Sequence, residues 1–191
     1  VNVDSSTFTM NGGTISGNTA ADGGGVCVVW SGTFTMTDGM IAGNTATYGG
    51  GVYVSGRTFT MEGGAISGNT ASKDGGGVYV EGGTFTMKDG AITNNIASNN
   101  NNKRGGGGVF VAGTFTMEGG TISGNATNGS GGGVNVFNSS DSMFNMTGGY
   151  LGDNTATESE NNIFKDGDGK VSISGGYFAE EFDTAYLAEN C

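Results

Sequence analysis

The chain has no proline and no histidine, one tryptophan, two cysteines and only seven lysines and arginines among 191 residues. Each shortage excludes something. Without histidine there is no imidazole to serve as a general base or a metal ligand near neutral pH. Seven cations against 18 acids give a net charge of -11, and so few cations spread along the chain form no stripe that would track phosphates, which argues against nucleic acid as a partner. No run approaches the roughly 18 apolar residues of a membrane helix, so this segment is not expected to insert into a membrane. It also opens on no charged-then-apolar leader, so an export signal or anchor is expected outside it.

What the chain has instead is glycine, 41 residues of it, and a repeated phrase. A Phe-Thr-Met run, a Gly pair, an Ile, a Gly-Asn corner, a Gly run and Val-x-Val recur. The Phe positions are Phe8, Phe34, Phe59, Phe85, Phe115 and Phe144, spaced 26, 25, 26, 30 and 29 residues apart. A near-constant period of that length, holding three short strand-like runs per copy, is the signature of stacked coils.

Strand alternation sends Phe and Met of the first run to one face and the flanking Thr pair to the other. The inward set is then Phe and Met from the first strand, Ile15 to Leu151 from the second, and the two Val of Val-x-Val from the third. Coils about 4.8 Å apart would stack each of these on its like. Asn18, Asn44, Asn69, Asn95, Asn125 and Asn154 occupy one corner at successive levels, as an amide ladder would. The expected fold is all-β: a right-handed parallel β-helix, or β-solenoid, of about seven three-strand coils. Residues 1–176 form the solenoid, open at its N-terminal end. Phe178, Phe182, Ala185 and Tyr186 fall on one face of a short helix, so residues 177–191 are expected to form a C-terminal helical cap. Seven coils would make a stack about 34 Å long.

Two insertions account for the longer spacings, one through Ser98 to Arg104 and one through Phe137 to Ser142. Loops on a regular scaffold are where recognition tends to reside, which makes Lys103 and Arg104 candidate contacts. Cys27 and Cys191 would lie on the order of 25 Å apart in a stack, too far for a disulfide. Cys27 is expected to be a free thiol, with Cys191 free or cross-linked to another chain. A strand edge left open at the N-terminal end would template head-to-tail self-association.

Thr-Phe-Thr-Met-Glu-Gly-Gly-Ala-Ile (58 to 66) and Gly-Gly-Gly-Val-Tyr-Val (75 to 80) carry a resemblance. By these residues the chain resembles bacterial cell-surface proteins with right-handed parallel β-helix repeats. Gly63-Gly64-Ala65-Ile66 is similar to the repeat of chlamydial polymorphic outer-membrane adhesins, whose companion Phe-x-x-Asn motif occurs here only once, at Phe8 to Asn11. Gly175-Gly-Tyr-Phe178 with Tyr186-Leu-Ala-Glu189 is similar to the element that closes such solenoids in large surface proteins of gut-type bacteria. The resemblance implies an exported or surface-displayed structural or adhesive protein, a stalk, adhesin segment or fibre subunit, and implies no chemistry.

The outward positions agree with a non-enzymatic reading. The first strand offers Thr7 and Thr9, Thr33 and Thr35, Thr58 and Thr60, Thr84 and Thr86, and Thr114 and Thr116. The third offers Asn2, Cys27, Tyr53, Tyr79, Phe110 and Asn135. No carboxylate or base stands on a strand face. Acids sit at corners, where Lys88 should stack between Glu62 and Glu118, and where Asp166-Gly-Asp168 near Glu158 and Glu160 lacks the full twelve-residue calcium-loop pattern. No cofactor is expected.

Two surfaces remain as binding candidates. Tyr53, Tyr79 and Phe110 form an outward aromatic stripe suited to sugar rings or a partner protein. The Thr-x-Thr pairs form a flat array similar to those of β-helical ice-binding proteins. The alternative to a passive stalk is therefore a glycan-binding or crystalline-surface-binding module.

Overall fold

The computed structural model describes residues 1–99 and 103–179. It is a parallel β-solenoid of about seven turns, in which every strand pairing is parallel and joins equivalent positions of successive coils. Glycine corners and β-branched or aromatic strand residues repeat at one period, so each coil offers the next an identical edge.

Three sheets line the solenoid. Seven Val-x-Val-type strands, from Asn2–Asp4 to Ile163–Lys165, form one. The Phe-Thr-Met and Ile strands form the second, because in the first two coils they run on as single strands, Thr7–Ser16 and Thr33–Ala42. The third sheet departs from the expected three-strand coil. Two-residue strands just past the Asn corner, such as Thr70–Ala71 and Ile96–Ala97, pair in a sheet of their own. A run this short has no readable alternation, and its pairing is set by the longer strands on either side.

The interior is a set of like-on-like columns. Phe34, Phe59, Phe85, Phe115 and Phe144 are fully buried, as are Met36 to Met146 and the paired valines from Val26 to Val136. Successive Phe rings from Phe34 to Phe115 stack at centroid distances of 4.7 to 4.8 Å. Burying each such ring contributes about 1.5–3 kcal/mol.

The Asn column is the polar counterpart of the Phe column. Asn44, Asn69, Asn95, Asn125 and Asn154 are buried, and the Nδ2 of each of the first four donates to the Oδ1 of the next at 2.9–3.0 Å. The same oxygens accept the backbone N–H of the preceding Asn. A Gly run brings the backbones of neighbouring coils so close that side chains are excluded. A Cβ on Gly77 would lie 2.7 Å from the Gly108 carbonyl oxygen and 3.0 Å from Asn95 Nδ2.

Tyr177–Phe178 is a strand that pairs with Tyr150 and Leu151, not the start of a helix. Another Gly-Gly-Tyr-Phe copy of the Gly-Gly-x-Ile rung outweighs the local helical spacing. The rest of the expected cap, from residue 180 onward, lies outside the described residues, as does Cys191. Cys27 is a free, half-buried thiol.

Candidate ligand cleft

The Val-x-Val strands place Tyr53, Tyr79 and Phe110 in one register, Tyr79 pairing with Tyr53 on one side and Phe110 on the other. The rings form a stack, with centroids 5.5 Å apart for Tyr53 and Tyr79 and 5.0 Å for Tyr79 and Phe110. They do not form the uniformly exposed stripe that alternation alone suggests. Tyr53 is half-buried, Tyr79 is 6% exposed and Phe110 is fully buried.

The cover comes from the two insertions, which converge on Phe110. The Arg104 guanidinium lies 4.9 Å from the Phe110 ring centroid and 5.0 Å from that of Phe137. Phe137 also tilts against Phe110 at 5.9 Å. Arg104 is fixed in turn by Asp74, whose buried Oδ2 accepts its Nε–H at 2.8 Å, while Asp74 Oδ1 accepts from Asn99 at 2.7 Å. Burial pushes the Asp74 carboxyl above the usual range, and the hydrogen bond from Asn99 and the Arg104 charge pull it back only in part. Lys103, the other candidate from this loop, is exposed and pairs with Asp166 at 3.6 Å. Its backbone carbonyl accepts from Asn135 Nδ2.

Beside the uncovered end of the stack lies an open cleft of about 400 Å³, lined by Asp22, Tyr48, Tyr53, Tyr79, Glu81 and Arg104. The Tyr48 ring tilts against Tyr79 at 5.2 Å, and Lys73 Nζ lies 5.3 Å from the Tyr48 ring centroid. The Tyr53 hydroxyl donates to Glu81 Oε2. Burial, reinforced by the Glu81 hydrogen bond and charge, holds the Tyr53 phenol well above its ordinary value. Burial likewise pushes Tyr79 up to about 12. Asp22 is raised by burial and then by the negative charge of Glu81. The cleft therefore offers phenol and aromatic surfaces flanked by carboxylates.

Asp22, Tyr48, Asp74 and Glu81 were not among the expected site residues. Their signal is positional. Asp22, Tyr48 and Asp74 each immediately precede Gly-Gly-Gly-Val, and Asp22 bridges to Tyr48 in register. Glu81 directly follows its Val-x-Val strand. Asp22, Tyr48 and Glu81 line one cleft with Tyr53 and Tyr79, the central residues of their Val-x-Val strands, which a face-by-face count of strand positions overlooks.

The Thr rows are brought together as expected. Thr7, Thr33, Thr58, Thr84 and Thr114 form one register, and Thr9, Thr35, Thr60, Thr86 and Thr116 the other. They run into Met143 and Asn145 at the sixth coil. Thr7 and Thr9 are exposed, and the remaining levels are half-buried between neighbouring coils. Lys88 pairs with Glu62 at 3.1 Å, and no ion pair to Glu118 forms among the described residues. Asp166 is turned to Lys103, and among the described residues no three His, Cys, Asp or Glu side chains converge as a cation site requires.

Comparison with protein-family models, curated proteins and solved structures finds no match to this chain.

Proposed function

We propose that this chain is a non-enzymatic structural and adhesive β-solenoid of a bacterial surface, acting outside the cell as a stalk, adhesin segment or fibre subunit, with a right-handed winding as parallel crossovers prefer. The observation that carries the reading is the uniform fastening of coil to coil. Phe, Met, Val and Asn columns run through six successive levels of the stack, a construction that resists bending and holds surface groups at fixed heights. Head-to-tail association of such stacks is the proposed route to a fibre.

Electron microscopy with and without reductant tests the mechanical part. Short rods of one length support a stalk or adhesin segment, filaments support a fibre subunit, and particles without a fixed long axis contradict both. Antibody labelling of intact source cells tests the location. Label that appears only after lysis would overturn surface display.

A second reading, carbohydrate binding, is favoured by the cleft. A half-exposed tyrosine with hydrogen-bonding carboxylates beside it is the combination that packs a sugar's C–H face and accepts from its hydroxyls. The in-register Thr rows favour an ordered surface such as ice in the same way. Replacing Thr58 and Thr84 by Lys abolishes ice-growth inhibition if that face binds the lattice and leaves it unchanged if the face is passive.

A further inference from the structure

The aromatic stack ends at Tyr53. Its register partner in the preceding coil is Cys27, which has a thiol where the following coils have rings. Among the described residues the ring partner of Tyr53 is Tyr79, on one side. Toward the Cys27 coil no ring stacks on Tyr53 among the described residues, and Tyr53 borders the cleft of about 400 Å³. A space of that size, bordered by an aromatic face, accommodates one or two pyranose rings.

The charges around that face are unequal. Asp22 and Glu81 both border the cleft, yet among the described residues neither takes part in an ion pair. Two cations stand nearby, and one of them, Arg104, itself borders the cleft. The Arg104 charge is taken up by its pair with Asp74, and Lys73 donates from Nζ to the Tyr48 hydroxyl at 3.2 Å. Asp22 is raised by burial and then by the negative charge of Glu81, and both carboxylates border the same cleft. A ligand that brings a positive charge between them relieves that repulsion. A neutral sugar only accepts it, and a uronic or sialic acid worsens it.

We propose that the cleft binds an amino sugar carrying a free ammonium group, its C–H face on the open side of Tyr53 and its ammonium between Asp22 and Glu81. This rests on the reading of the cleft as a carbohydrate site. A cation near an aromatic face and two carboxylates combines cation–π attraction with charge-assisted hydrogen bonds, and the pyranose ring supplies apolar contact.

Titration calorimetry on the intact chain, with three probes, separates the possibilities: a glucosamine oligomer, the matching N-acetylglucosamine oligomer, and cadaverine, which has amines but no ring. The glucosamine oligomer is expected to bind at least tenfold tighter than either of the others. Equal binding of the two oligomers overturns the ammonium assignment and leaves the carbohydrate reading standing. Cadaverine binding as tightly as the glucosamine oligomer overturns the carbohydrate reading, and no binding of either oligomer overturns both. The Asp22→Asn, Glu81→Gln double variant keeps side-chain shape and is expected to lose the preference for glucosamine. Tyr53→Leu is expected to weaken both oligomers alike. The comparison of the two oligomers needs no variant, so it stands even where a substitution prevents folding.

Discussion

Asn69 donates from Nδ2 to Asn95 Oδ1 at 3.0 Å and to the Ile41 carbonyl at 2.9 Å, so that one side chain ties three successive coils. The backbone N–H of Asn69 goes to the same Asn95 oxygen. Asn95→Ala would leave two buried donors of Asn69 without an acceptor. A loss of about 3 kcal/mol or more in urea unfolding is expected, since each orphaned buried group costs about 1–3 kcal/mol. Asn18→Ala, at the exposed end of the ladder, is expected to cost less than about 1 kcal/mol.

The Gly runs are expected to divide by what surrounds them. A Cβ on Gly77 meets the Gly108 carbonyl oxygen at 2.7 Å and Ile92 Cγ2 at 3.0 Å, so Gly77→Ala would push apart two hydrogen-bonded coils. A cost of about 3 kcal/mol or more is expected, the upper part of the overpacking range. Gly68 has φ +62° and nothing within 4 Å of its would-be Cβ. Its change to Ala carries only the left-handed strain of about 1–2 kcal/mol. Denaturant midpoints of the two variants check the order.

Phe110 and Tyr53 occupy the same column and should answer differently to truncation. Phe110→Ala removes a fully buried ring under Arg104 and is expected to cost about 3–5 kcal/mol. Tyr53→Ser, at the half-buried end, is expected to cost about 1 kcal/mol while abolishing retention on glycan. Equal destabilisation would show that Tyr53 is as much a core residue as Phe110.

Arg104→Ala would strip the buried Asp74 carboxylate of its cation, a loss of about 3 kcal/mol at neutral pH. Asp74 is already raised by burial in the intact chain, and without Arg104 it is raised further. A raised folded-state pKa gives stability that is full below the unfolded value and fades as pH rises through the folded one. The deficit of Arg104→Ala against the parent should therefore shrink as pH falls through the carboxylate range. Thermal unfolding of both proteins across that range measures it, and a deficit that grows on acidification would contradict the burial of Asp74.

The columns were legible because each coil restates them. Phe34, Met36, Ile41, Val52 and Val54 lie at fixed offsets that alternate as a strand requires, and the structure buries them all. The Asn ladder was legible for the same reason. What was not legible arises where coils differ. Alternation places Phe110 outward, and only the meeting of Arg104 and Phe137, from insertions more than thirty residues apart, buries it. Asp22, Tyr48 and Glu81 sit on corners, where no period assigns a direction, so their convergence on Tyr53 depends on the path of the glycine turns. Tyr177–Phe178 paired as a strand despite a helical spacing, because an existing edge at Tyr150 and Leu151 offered it a ladder.

The proposed adhesive role is binding without chemistry. Incubating the protein with a panel of polysaccharides, while measuring both the protein retained and any new chain ends, tests it in one experiment. Retention on at least one polysaccharide, lost in Tyr53→Ser, with no new reducing or unsaturated ends, is the predicted result. New chain ends that track the amount of protein would contradict it.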